Sequence, residues 1–98
     1  MSPTMKAVVC HGPMDYQLED VEIPTPSKGE ALVRVEAVGI CASDLKCYHG
    51  AAKFWGDANR AAWAETEVIP GHEFVGEIAE IDEEASKRWG VVVGDRVV

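Results

Sequence analysis

Apolar and polar positions along the chain alternate with a period of two in several short runs, and Gly and Pro separate the runs. Successive strand side chains point to opposite faces, so this period marks strands. Met5 to Cys10 reads as the first, ending at the turn signal His11-Gly12-Pro13. Tyr16 to Ile23 reads as the second. Its apolar residues change parity between Leu18 and Val21, which predicts a bulge there. Pro24 to Gly29 breaks the pattern. Glu30 to Ile40 is the clearest strand, with Val33, Val35 and Ala37 on one face and Leu32, Arg34, Glu36 and Val38 on the other. Gly39 marks a bend or a close approach of another backbone.

After Ile40 the period changes. Cys41 to Gly50 predicts one or two helical turns, capped by Ser43 or Asp44 and stopped by Gly50. Residues 51–66 keep no period and read as a long loop with room for a helical turn. A strand is expected over 72–82, then a solvated charged turn over 82–88, then two short strand pieces around Gly94-Asp95. The sum is about five strands and one short helix, a mostly β chain in a small barrel-like sheet. The chain ends on the apolar pair Val97-Val98, so a truncated domain, or one continuing in a larger parent, is expected.

With 98 residues the chain makes one small domain at most. Its formal net charge of −8 argues against a nucleic-acid backbone or an anionic membrane surface as partner, since both need a basic stripe. No apolar run reaches the length of a membrane span, and no basic patch leads into a long apolar core at the start, so no signal peptide is expected. Three widely spaced cysteines, Cys10, Cys41 and Cys47, make no disulfide framework and point to a reducing, cytoplasmic compartment.

Three residues stand out as metal ligands: Cys41, His72 and Glu73. Zinc takes thiolate sulfur, imidazole nitrogen and carboxylate oxygen, and three protein ligands leave a fourth position for water or substrate. Each of the three sits at an element boundary. Spacing alone is weak evidence, because Cys41 and His72 are far apart in sequence and a cysteine after an apolar strand is commonly a small buried hydrophobe.

Gly39-Ile40-Cys41-Ala42-Ser43-Asp44 and Gly71-His72-Glu73-Phe74-Val75-Gly76 resemble two signatures of the zinc-containing medium-chain alcohol dehydrogenases, and Gly94-Asp95-Arg96-Val97 resembles a third. The order and spacing are compatible, and the resemblance spans essentially the whole chain. It implies a GroES-like, strongly bent β-barrel with a short helix after Cys41, and a catalytic Zn2+ on Cys41 and His72. Glu73 would be a ligand, or a nearby carboxylate that exchanges with water. Asp44 would accept the His72 ring N–H and Ser43 would take the alcohol proton; plain helix capping is the other role open to both. NAD or NADP would accept the hydride in the full-length parent, which would be a dimer or tetramer acting on a small alcohol or polyol, threitol and erythritol among them.

Some positions depart from that pattern. Lys46 stands where many relatives carry a His, so the outer proton relay differs or Lys46 faces solvent. Ala42 replaces a basic residue that some relatives place near the cofactor phosphates. Phe54, Trp55 and Trp63 line a substrate cleft or pack; Tyr48 and His49 are weaker cleft candidates. Cys10 and Cys47 read as core or neutral thiols. No Gly-x-Gly-x-x-Gly loop and no four-cysteine structural zinc lobe occurs in these residues, so the chain alone is expected to be inactive. The alternative is a non-catalytic GroES-like module that binds partners or pairs with a second copy through an edge strand.

Overall fold

A computed structural model describes residues 2–98 and contains five strands and three short helices among them. The chain divides into two compact units. The first comprises the chain up to Glu22 together with Ile40–Gly71; the second comprises Ile23–Gly39 and His72–Val98.

The first unit is built on an antiparallel hairpin of β1 (Thr4–Gly12) and β2 (Asp15–Glu22). Its buried side chains are Ala7, Val9 and Cys10 of β1. The turn is tighter than the sequence predicts: β1 runs through His11 and Gly12, and the reversal falls at Pro13-Met14, with Met14 at φ 58°. The bulge also lies elsewhere. Pairing is regular from Leu18 to Val21, and the register shifts between Cys10 and Gly12. Parity failed as a guide because β2 keeps its period by leaving Leu18 70% exposed.

Helix α1 (Ala42–Tyr48) follows Cys41 as expected, but its N-cap is Cys41 itself. Helix α2 (Ala52–Trp55) is the helical turn inside the long loop. The Trp55 Nε1–H donates to the Cys47 carbonyl at 2.7 Å, and the Trp63 and Ala64 amides both donate to the Phe54 carbonyl at 2.7 and 2.6 Å. Phe54 and Trp63 meet edge to face at 5.9 Å. The far end of the loop returns to β1, where the Cys10 amide donates to the Val68 carbonyl at 2.8 Å.

The second unit is an antiparallel sheet in the order β3-β4-β5, formed by β3 (Ala31–Gly39), β4 (Glu73–Ile81) and β5 (Arg96–Val97). The register shifts twice along β3, between Leu32 and Val33 and between Val35 and Ala37. The second shift makes Glu36 an extra residue, and its carboxylate takes two bonds from the Arg96 guanidinium of β5, at 3.0 and 3.1 Å. Ile78 of β4 is buried.

The stretch 82–88 is a helix, not a turn: α3 (Glu83–Trp89). The Asp82 carboxylate caps it by accepting the Ala85 N–H at 2.7 Å, and Gly90 closes it in the left-handed region at φ 68°. Acidic Glu83 and Glu84 in the first turn face basic Lys87 and Arg88 four residues on, and Ala85 is buried. The charged run hid one apolar contact that a turn does not need. Val91 to Val93 form no strand, so only Arg96–Val97 survives of the two pieces expected near the end. Among the described residues no helix is long and apolar enough to cross a membrane.

Candidate metal centre

Cys41, Ser43 and Asp44 lie in the first unit, at the start of α1. Cys41 has extended backbone (φ −99°, ψ 156°), the usual conformation of a residue that opens a helix. Its N–H donates to the Asp44 Oδ2 at 2.8 Å, so Asp44 satisfies an amide the helix itself leaves unpaired. The Ser43 hydroxyl donates to the Cys41 sulfur at 3.3 Å. The capping role of Asp44 is therefore present, while Ser43 bonds the sulfur instead. One short helix start holds the cysteine by its backbone and by its sulfur. A contact between side chains two residues apart depends on rotamers, so the sequence had no signal for the Ser43–Cys41 bond.

His72 and Glu73 lie in the second unit at the entrance to β4 and are exposed. A ring nitrogen of His72 and a carboxylate oxygen of Glu73 lie within 4.8 Å of each other. Two ligands of one zinc, each about 2.0–2.2 Å from it, fall inside that span. The two glycines that bracket the motif have separate causes. Gly71 takes φ 119°, a backbone that side chains rarely adopt, where the chain turns into β4. Gly76 lies against β3: a Cβ there would stand 2.4 Å from the Arg34 carbonyl oxygen.

Within the second unit the ladder joins the end of β3 to the start of β4. Gly39, the last residue of β3, pairs with Glu73, the first residue of β4. The donor types, one thiol, one imidazole and one carboxylate, suit zinc. Of the aromatic cleft candidates, Trp55 is pinned to the last turn of α1 and Trp63 is 75% exposed.

Comparison with known proteins shows the family. The alcohol dehydrogenase GroES-like domain family matches residues 27–98, and the chain belongs to that family. Among its relatives, the erythritol/L-threitol dehydrogenase of Mycolicibacterium smegmatis is 76% identical over 94 residues, which cover 96% of this chain and 26% of that protein. A probable alcohol dehydrogenase of Mycobacterium tuberculosis is 39% identical over 93 residues, 95% of this chain and 23% of that protein. The acryloyl-coenzyme A reductase of Sulfurisphaera tokodaii is 37% identical over 98 residues, 96% of this chain and 25% of that protein. The chain thus spans about a quarter of the length of these relatives. No solved structure matches it. The mostly stranded architecture with short helices is consistent with the GroES-like class.

Proposed function

We propose that this chain is the metal-holding part of an NAD(P)-dependent dehydrogenase that oxidises a small polyol, with a four-carbon sugar alcohol as substrate. The observation that carries the reading is the 76% identity over nearly the whole chain to an erythritol/L-threitol dehydrogenase. The names of the other relatives vary in reaction, so family membership by itself does not select the substrate.

In this reading Cys41 and His72 hold zinc, with Glu73 as a third ligand or an exchanging carboxylate. Bound there, zinc would supply a Lewis acid that lowers the pKa of an alcohol, and NAD or NADP would supply the hydride acceptor. The chain's own residues have distinct tasks. A hydroxyl has one donor and two acceptor lone pairs. The Ser43 O–H is spent on the Cys41 sulfur, so its lone pairs stay free to accept a hydrogen bond from the substrate hydroxyl and orient it. Asp44 keeps Cys41 in place through the backbone. Asp44 is also the residue this reading assigns to accept the His72 ring N–H, a bond that would fix the ring's tautomer. The nucleotide is held by other parts of the protein, so these residues alone do not turn over. The parent is cytoplasmic and forms a dimer or tetramer.

The test follows nicotinamide reduction by the purified full-length protein with erythritol and L-threitol, for the wild type and for Ser43→Ala. The expected result is polyol oxidation that Ser43→Ala slows by about 100-fold or more, with metal content unchanged. Absence of polyol oxidation, or full activity in Ser43→Ala, contradicts the reading.

A further inference from the structure

The Gly94-Asp95-Arg96-Val97 motif has no task in the proposed reaction, yet three of its residues are held in fixed geometry within the second unit. The Asp95 carboxylate accepts the Val92 N–H at 2.9 Å, and the Asp95 N–H donates to the Val92 carbonyl at 3.1 Å. Gly94 turns the chain at φ 97°, a backbone that side chains rarely adopt. The turn is bonded to Ile78 of β4. The Gly94 N–H donates to the Ile78 carbonyl, and the Asp95 carbonyl accepts the Ile78 N–H, each at 2.9 Å. Arg96 then pairs with Glu77 of β4. Its guanidinium reaches from β5 to β3, with β4 between them in the sheet, and holds both carboxylate oxygens of Glu36 at 3.0 and 3.1 Å. A forked Arg–carboxylate contact fixes direction as well as distance, which an ordinary surface ion pair does not.

Glu36 is the extra residue at the second register shift of β3. Before it Val35 pairs with Gly76; after it Ala37 pairs with Val75, Val38 with Phe74 and Gly39 with Glu73. The earlier register, carried on without the extra residue, would put Val38 opposite Glu73 and Gly39 opposite His72. Residues directly opposite in an antiparallel ladder stand side by side on one face, with Cβ atoms about 4.5–5.5 Å apart. With the bulge, the residue opposite Glu73 is a glycine, and His72 stays outside the ladder. Without it, the Val38 side chain would stand beside Glu73, and the His72 backbone would be drawn into the pairing. We infer that, with His72 and Glu73 as the metal ligands proposed above, Glu36 and Arg96 are positioning residues: their clamp locks the β3 bulge, which keeps the space beside the Glu73 side chain clear and His72 outside the ladder. Their action on the ligands runs through the register of the strands, not through contact.

The experiment titrates the metal-free full-length protein with cobalt(II) and follows the part of the visible absorption that His72→Ala abolishes. Wild type is compared with Glu36→Gln, with Arg96→Gln and with the swapped double variant Glu36→Arg, Arg96→Glu, each checked for folding by far-ultraviolet circular dichroism. The expected result is cobalt binding about 10-fold weaker in each single variant, with the absorption band moved from its wild-type position. Both readings return toward wild type in the swapped variant, where the pair is restored in the opposite sense. An ion pair that only stabilised the fold would lower Tm and leave the band in place. Wild-type affinity and band in both single variants, or a swapped variant no better than the single ones, would overturn the inference alone. Cobalt absorption unchanged by His72→Ala would overturn the metal reading and the inference with it.

Discussion

Gly76→Ala is the sharpest test of the close packing of β3 on β4. A methyl at that position would stand 2.4 Å from the Arg34 carbonyl oxygen, 2.6 Å from Val33 Cγ1 and 3.0 Å from the Arg34 carbonyl carbon. Two of these neighbours are backbone, so no rotamer change relieves the clash and the two strands must part. Overpacking a filled site costs about 1–3 kcal/mol, and a backbone neighbour puts this case at the upper end, about 3 kcal/mol. A domain of this size has about 5–15 kcal/mol of stability in total. At about 2.1 cal/mol/K of unfolding entropy per residue, 98 residues make each 1 kcal/mol worth about 5 °C, so Tm falls by about 15 °C. Gly39→Ala is the control in the same ladder: its methyl would meet the Glu73 oxygen and Cβ at 3.5 and 3.6 Å, ordinary contact distances. It costs less than about 1 kcal/mol, near the ordinary scale of a surface change. Thermal unfolding followed by circular dichroism reads both variants. Equal Tm values for Gly76→Ala and Gly39→Ala, or a loss below about 3 °C in Gly76→Ala, would refute the reasoning.

Other outcomes follow from single interactions. Asp82 accepts the Ala85 and Gly29 amides, and those bonds hold its carboxyl below the usual carboxylate pKa. Asp82→Ala lowers Tm at pH 7, and wild-type stability from this group is present above pH about 4 and lost as pH falls through the lowered pKa; equal stability of wild type and variant at neutral pH contradicts the cap. His11 bonds Glu19 across the hairpin, which raises the His11 pKa above its ordinary value of 6.5. The pair therefore stabilises the fold fully below pH 6.5 and loses its effect as pH rises through the raised pKa, so the urea midpoint should fall with pH over that range less in Glu19→Gln than in the wild type. An unchanged pH slope in that variant removes the pair from the account.

The strands were legible because each carries its own period. Glu30 to Ile40 alternates over enough residues to place β3 to within one residue at each end. The site's edges were legible for a similar reason: Gly71 and Gly76 are needed by backbone conformation and close approach, and both needs leave a glycine in the sequence. What escaped depended on partners remote in sequence or on capping. The charged run 82–88 was read as a turn although Asp82, the paired charges and Gly90 together form a start, a face and a stop. Its single buried residue, Ala85, gives too little apolar signal to show a period. The apparent parity slip in β2 came from assuming that Leu18 must point inward. For the site, the chain order of Cys41, Ser43 and Asp44 suggested a helix start, but which of them caps it is settled by backbone angles that no spacing reveals.

The central claim is that Cys41 and His72, with Glu73 beside them, hold one zinc. Elemental analysis of the purified protein measures it directly, with the Cys41→Ala, His72→Ala double variant prepared in parallel. The account predicts about one equivalent of zinc per chain at these ligands, lost in the double variant while the far-ultraviolet circular dichroism is kept. Any further equivalent bound elsewhere in the protein stays in both samples. The same zinc content in wild type and double variant would contradict it.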